Sequence, residues 1–323
     1  MRTTSNRNLP DMWKATYDLV AQVPEGKVTT YGDVARALGD IAASRFVGLA
    51  MSRNEDIRRV PCRRVVQYDG TVGGYTGGLE KKKRLLRREG VRISGDKIVG
   101  FERIRFTDFD TDRPLVRLRA RQRTLSNRLV IRNPLRPASR IAGIDVAYRG
   151  EHAFAAMVTF EVRSGDEVER TVVEGEARFP YIPSYLAFRE IPVIEPLMHG
   201  LDDETVVMYD GNGILHPEGF GIACQVGVEF DVPTIGVAKS LLCGTVRLPS
   251  HGSSRPVVFK GRTVGHALAV GTRGRPVYVS PGHKMTCRSA VEVTLRFLRH
   301  RVPEPTRIAH ILAGAARSGR NHK

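Results

Sequence analysis

A chain of 323 residues with 41% hydrophobic content is long enough for two globular domains and apolar enough to give each a core. Its net charge of +17 is lopsided: residues 1–140 hold 30 Lys/Arg against 15 Asp/Glu, the remainder 21 against 19. A basic half joined to a near-neutral half points to a polyanion such as nucleic acid. With no long apolar stretch or amphipathic anchor, it points away from membranes.

Residues 11–23 have helical spacing, with Trp13, Tyr17 and Val20 on one face, and Pro24-Glu25-Gly26 stops that helix. Thr30 followed by Asp33 predicts a capped helix over 31–38 ending at Gly39, and a second helix follows over 42–53. Helix, glycine turn, helix in a basic domain is helix-turn-helix spacing. A glycine-rich stretch, 70–78, precedes a basic helix over 79–89, whose Lys81-Lys82-Lys83-Arg84 run reads as a solvated face touching phosphate. The Asp-rich stretch around 101–112 marks a junction, giving domains 1–105 and 106–323. A basic helix over 114–130 opens the second. Strands are expected at 141–147, 153–162, 171–179, 205–209, 233–237, 264–270 and 276–280, and helices at 184–200, 219–229 and 286–301, a mixed α/β pattern. The tail from Ala315 reads as frayed.

Four cysteines, Cys62, Cys224, Cys243 and Cys287, form no C-x-x-C pair, which argues against structural zinc. Cys224 and Cys287 read as core packing. A polar N-terminus lacking an apolar segment predicts a cytoplasmic protein with free thiols. His152, His251, His266 and His300 carry no pattern.

Asp145 and Asp210 each end a short apolar run of the kind that forms a buried strand. Unpaired charges there are costly, and two on neighbouring strands repel unless a cation lies between them. Hard oxygen ligands suit Mg²⁺, and metal-assisted phosphodiester hydrolysis suits such a cluster.

Five motifs span residues 113–310: I-A-G-I-D-V-A-Y, P-Y-I-P-S-Y-L-A-F-R-E, Y-D-G-N-G-I-L-H-P, G-V-A-K-S and V-S-P-G-H-K. Together they resemble endonuclease V, the deoxyinosine-specific repair nuclease. The resemblance implies an RNase H-like mixed sheet with flanking helices, Mg²⁺ (with Mn²⁺ able to substitute), and hydrolysis of the second phosphodiester 3′ to the lesion. It implies Asp145, Asp210 and Glu190 as metal carboxylates, His283 as a further catalytic residue and Lys239 beside the scissile phosphate. Pro180, Tyr181, Ile182 and Pro183 correspond to the wedge that enters the duplex, and His216 to the histidine after the second aspartate. Ser184 departs from the family's glycine.

Residues 9–100 are similar to the DNA-binding, active-site domain of O6-alkylguanine-DNA alkyltransferases, a small, mainly α, helix-turn-helix domain. The matching stretches are V-T-T-Y-G, S-R-F-V-G, V-P-C and G-Y-T-G-G, with Asn54 and Glu89. The resemblance implies Cys62 as alkyl acceptor, Arg45 as the finger filling the stack, Tyr31 as the nucleotide-rotating tyrosine and Asn54 as the hinge. Tyr75 and Thr76 would be the pocket wall and Glu89 the end of a proton relay. The family's histidine after the cysteine is Arg63 here. Arginine does not take up a proton near neutral pH, yet a guanidinium beside a thiol favours thiolate. Two expectations follow. Either a working acceptor is fused to the nuclease, or a non-catalytic lesion-binding module targets it. The partners in both are DNA containing deoxyinosine or O6-alkylguanine, with no obligate protein partner.

Overall fold

Asp11 opens the first helix, its carboxylate accepting the Lys14 backbone N–H at 2.9 Å, and α1 (Met12–Ala21) buries Met12, Leu19 and Val20. The computed structural model describes residues 9–134, 136–246, 254–269 and 275–319. Two compact units result. One extends to Ala120 and includes the returning segment Phe179–Tyr185; the other comprises Arg121–Arg178 and the chain from Leu186.

In the first unit Thr30 Oγ1 accepts the Asp33 N–H at 3.0 Å and caps α2 (Tyr31–Leu38), which Gly39 ends at φ 110°. The Asp40 carboxylate caps a 3₁₀ turn, Ile41–Ala43, that runs directly into α3 (Ser44–Ser52). The expected second helix therefore begins two residues late. Strand β1 (Thr29–Thr30) pairs in parallel with β2 (Val65–Val66). Because Tyr31 follows β1 and Cys62 precedes β2 by three residues, this short ladder brings the two side chains to one pocket. Next come α4 (Leu79–Arg88), the hairpin β3 (Ile93–Ser94) and β4 (Lys97–Ile98), and α5 (Phe101–Ile104). They close over a core that includes Val28, Val66, Leu86 and Phe101. Helix α4 corrects part of the expected solvated basic face: Lys81, Arg84, Arg87 and Arg88 are exposed, but Lys82 is fully buried, and Lys83 pairs with Glu80 at 2.9 Å and Asp96 at 2.5 Å.

Helix α6 (Pro114–Ser126) stops four residues short of its expected end. The second unit is built on a nine-stranded sheet. A meander of β5 (Arg140–Arg149), β6 (His152–Glu161) and β7 (Glu167–Glu176) leads through α7 (Leu186–Met198) to β8 (Thr205–Asp210), which lies parallel to β5. Helix α8 (Ile222–Phe230) and β9 (Thr234–Ala238) follow, β9 again parallel. Then come β10 (Thr245–Val246), β11 (Ser254–Phe259), β12 (Arg262–Leu268) and β13 (Val277–Pro281), and the spatial order is β10-β11-β12-β13-β9-β8-β5-β6-β7. Helices α7 and α8 cover one face. The other face is covered by α9 (Cys287–Phe297) and α10 (Glu304–Arg317).

The structure departs from expectation in several places. Strand β7 starts and ends early, leaving the segment before α7 as loop. β10 and β11 were not anticipated. The tail expected to fray from Ala315 is helical through Arg317. The expected strand over 264–270 ends at Leu268, and residue 270, like His251, lies outside the described residues.

Candidate active sites

Ladder register places the two aspartates. Ile144 of β5 pairs with Tyr209 of β8, so Asp145 and Asp210 are the next residues on adjacent parallel strands. The third member of the cluster comes from α10. Gly143 lets that helix approach: a Cβ there would lie 2.1 Å from the Pro305 carbonyl carbon and 2.4 Å from the Thr306 nitrogen. Two residues up the strand is about 6.6 Å, and four residues along the helix from Thr306 is about 6 Å. The two rises match, and His310 Nδ1 meets Asp145 Oδ2 at 2.8 Å. Asp145, Asp210 and His310 each offer a ligand atom, all within 4.8 Å of one another.

The electrostatics of this cluster favour a cation. Burial, and then the charge of Asp210, push the Asp145 carboxyl up to about 6. Lys239, following β9, donates to Asp210 Oδ2 at 2.6 Å. An ammonium thus lies against one carboxylate while the other resists ionisation, as expected where a cation belongs. The two carboxylates and an imidazole are a donor set that fits a divalent ion.

Glu190 stands apart from the tight group. It comes from α7, on the opposite side of the sheet from α10, and both its oxygens are occupied: Tyr148 donates to Oε1 at 2.9 Å and Tyr209 to Oε2 at 2.7 Å. Burial first, opposed by those hydroxyls, then Asp145 and Asp210, push its carboxyl up to about 7. His283 does not join the cluster. Its Nδ1 accepts the Val130 N–H at 3.2 Å, Nε2 lies 3.4 Å from Asp231, and burial lowers its pKa. His216 closes its own turn, Nδ1 accepting the Glu218 N–H at 3.2 Å.

The segment before α7 has an exposed tip and buried anchors. Tyr181 is 61% exposed, whereas Phe179 and Ile182 are buried and Pro180 is buried beside them. Ile182 and Pro180 therefore anchor the loop instead of facing a ligand. Tyr185 N–H closes a turn onto the Ile182 carbonyl at 3.0 Å, with Pro183 second and Ser184 third at φ 69°. Proline then a left-handed residue is type II turn geometry, for which glycine is the unstrained third residue.

In the first unit Cys62 lines a cavity of about 530 Å³ together with Tyr31, Met51, Gln67, Tyr75 and Thr76. Burial, then Cys62, raise the Tyr31 hydroxyl, and the same two causes raise Tyr75. Asn54 donates from Nδ2 to the Val60 carbonyl at 2.8 Å and accepts the Asp56 N–H at 3.1 Å, fixing the loop that leads to Cys62. Arg45 lies exposed near the start of α3. Arg63 turns to Glu89: its Nε donates to Oε1 at 2.5 Å, while Arg64 Nε donates to Oε2 at 2.8 Å. Burial alone would raise Glu89, but hydrogen bonds and charge from Arg64 and Arg63 hold it low. The buried cation coupled to Cys62 is Lys82. Its ammonium donates to the carbonyls of Val65 and Val72 at 2.7 Å and Gly74 at 3.1 Å, and burial, opposed by Cys62, lowers it to about 8. Both His310 and Lys82 escaped sequence reasoning.

The endonuclease V family profile matches residues 123–311, and the 6-O-methylguanine DNA methyltransferase DNA-binding domain matches residues 11–91. The chain belongs to the endonuclease V family. It joins that nuclease to an alkyltransferase-like domain. A bifunctional methyltransferase/endonuclease of Picrophilus torridus is 38% identical over 93% of this chain and 95% of its own. The endonuclease V structure from Streptomyces avermitilis is 34% identical, with a TM-score of 0.59 over 63% of this chain and 93% of that one. Endonuclease V of Ciona intestinalis, solved with a 24mer DNA containing an inosine followed by a ribo-adenosine, is 25% identical. Its TM-score is 0.58, over 64% of this chain and 99% of that one.

Proposed function

We propose that this chain nicks DNA at deaminated bases, deoxyinosine foremost, hydrolysing the second phosphodiester 3′ to the lesion, and that it also accepts alkyl groups from O6-alkylguanine on Cys62. The convergence of Asp145, Asp210 and His310 carries the first part. Asp145 and Asp210, with His310, would hold Mg²⁺ or Mn²⁺. Glu190 adds its charge while two tyrosine hydroxyls orient it. A bound divalent ion supplies an acidified water and stabilises charge on the phosphate. Lys239, which donates to Asp210, would offer its ammonium to a phosphate oxygen as a point charge. Tyr181 is the exposed ring that fills the gap left by an extruded base.

In the alkyl-transfer half the Cys62 sulfur is the nucleophile; the buried Lys82 ammonium interacts with it electrostatically, while Arg63 is engaged by Glu89. Sulfur forms a bond to the alkyl carbon, the carbon–O6 bond breaks, and guanine takes up the proton released by the thiol. Glu89, held by two guanidinium groups, is occupied as a relay terminus, which also motivates the second reading, a module that binds the lesion without transfer.

The test is strand nicking of a deoxyinosine duplex with Mg²⁺ and with chelator, beside transfer of a labelled O6-methyl group to protein. Nicking that stops in chelator, with one label per chain on Cys62, is expected. Label-free protein would establish the binding module, and an intact inosine strand would refute the nuclease reading.

A further inference from the structure

The segment bearing Tyr181 belongs to the first compact unit, although the sequence on both sides of it belongs to the second. Its attachment there is specific. Tyr185, buried at the end of the type II turn, donates its hydroxyl to Asp40 Oδ2 at 2.8 Å. Arg119 donates to the same oxygen at 2.9 Å, and its guanidinium lies 4.5 Å from the Tyr185 ring centroid. The other Asp40 oxygen accepts the Ala42 N–H at 2.9 Å, capping the turn that feeds α3. The first turn of α6 is seated there too, since a Cβ on Gly39 would lie 2.8 Å from Val116.

One carboxylate therefore ties two devices together: the helix carrying Arg45 and the turn carrying Tyr181. Asp40 lies in the matched alkyltransferase-like region and outside residues 123–311, which match the nuclease family. Tyr185 is held 145 residues away in sequence, by a carboxylate that a nuclease without this N-terminal domain does not have. Burial opposes ionisation of Asp40, but the Ala42 N–H, Arg119 and Tyr185 together hold its carboxyl low. Each of its hydrogen bonds is thus charge-assisted, the stronger class.

We infer that Asp40 and Tyr185 are positioning residues for inosine nicking: through them the alkyltransferase-like unit holds the Tyr181 tip rigid for entry into paired DNA. This rests on the proposed nuclease activity. The tip matters where a base pair must be opened and matters little where the base is already free. The defect is therefore in duplex opening, not in the chemistry at Asp145.

The experiment uses the full chain and one deoxyinosine presented in a duplex or in a single strand. Tyr185→Phe keeps the ring under Arg119 and removes the hydroxyl. Its duplex kcat/KM should fall roughly tenfold, the loss of one charge-assisted hydrogen bond. Its single-strand kcat/KM should stay within about twofold of the parent, because that substrate carries no pair to open. Asp40→Asn should lower the same ratio, and the double variant should fall no further than the worse single one. A duplex-to-single-strand ratio unchanged in both variants would overturn the inference, as would equal losses on both substrates. If the parent protein nicks neither substrate, the nuclease reading fails instead, so the two failures are distinguishable.

Discussion

The carboxylate cluster and the Cys62 pocket treat buried charge in opposite ways. In the sheet, strand register forces Asp145 and Asp210 together, and their negative charge is met by Lys239 and His310. Around Cys62 two buried ionised groups are satisfied internally: Glu89 by Arg63 and Arg64, Lys82 by three carbonyls. The first arrangement waits for an external cation; the second is complete as folded. On the proposed reading, that difference would separate a turnover site that recruits a metal from a thiol acceptor preset by its own residues.

The largest break in this comparison should come from Gly143→Ala. A methyl group at that position meets the Pro305 carbonyl group, so α10 must move and take His310 with it. Displacing a site group by about 1 Å costs on the order of a hundredfold in rate. Nicking should fall by at least that much, with roughly 1–3 kcal/mol of stability lost to overpacking in urea melts. Methyl acceptance should be untouched.

Lys82→Met tests the opposite half. It removes the cation coupled to Cys62 and strands three carbonyls. Methyl transfer should slow by about tenfold, because neighbouring positive charge favours a sulfur nucleophile. Stability should drop by roughly 1–3 kcal/mol for the carbonyls left unpaired. Inosine nicking should not change.

A smaller effect sharpens the contrast through pH. Burial, and then neighbouring charge, push Asp145 to about 6, and burial raises Glu190 to about 7. Carboxyls raised above their unfolded values stabilise the fold when protonated, and that contribution is lost as pH rises through 6 to 7. Without divalent ions the melting temperature should therefore fall between pH 5 and pH 8, and Mg²⁺ at pH 8 should reverse the fall. The same scan on Asp145→Asn should be flatter.

Part of the candidate site is legible because a charge ending an apolar run breaks the strand pattern, as at Asp145 and Asp210. His310 escapes notice because no element is expected between residue 301 and the tail at Ala315. The signal was present: Glu304-Pro305 begins a helix, and Ile308 and Leu312 keep its period. Lys82 was not separable from its neighbours in a run of four cations, since which one turns inward depends on the loops that close over α4. His283 has a motif but makes its contacts with Val130 and Asp231, something only the folded chain reveals. Strand β11 contains Pro256, which argues against a strand from local sequence alone. The Tyr185–Asp40 bond spans 145 residues and leaves no local trace.

We propose that this one chain holds two chemically independent repair sites. The most direct test follows nicking of a deoxyinosine duplex and transfer of a labelled methyl group from an O6-methylguanine duplex, using Asp145→Ala and Cys62→Ala as full-length proteins. Asp145→Ala should lose nicking by about a thousandfold or more and take up label normally, while Cys62→Ala should nick normally and take up none. Loss of both activities in either folded variant would contradict the account.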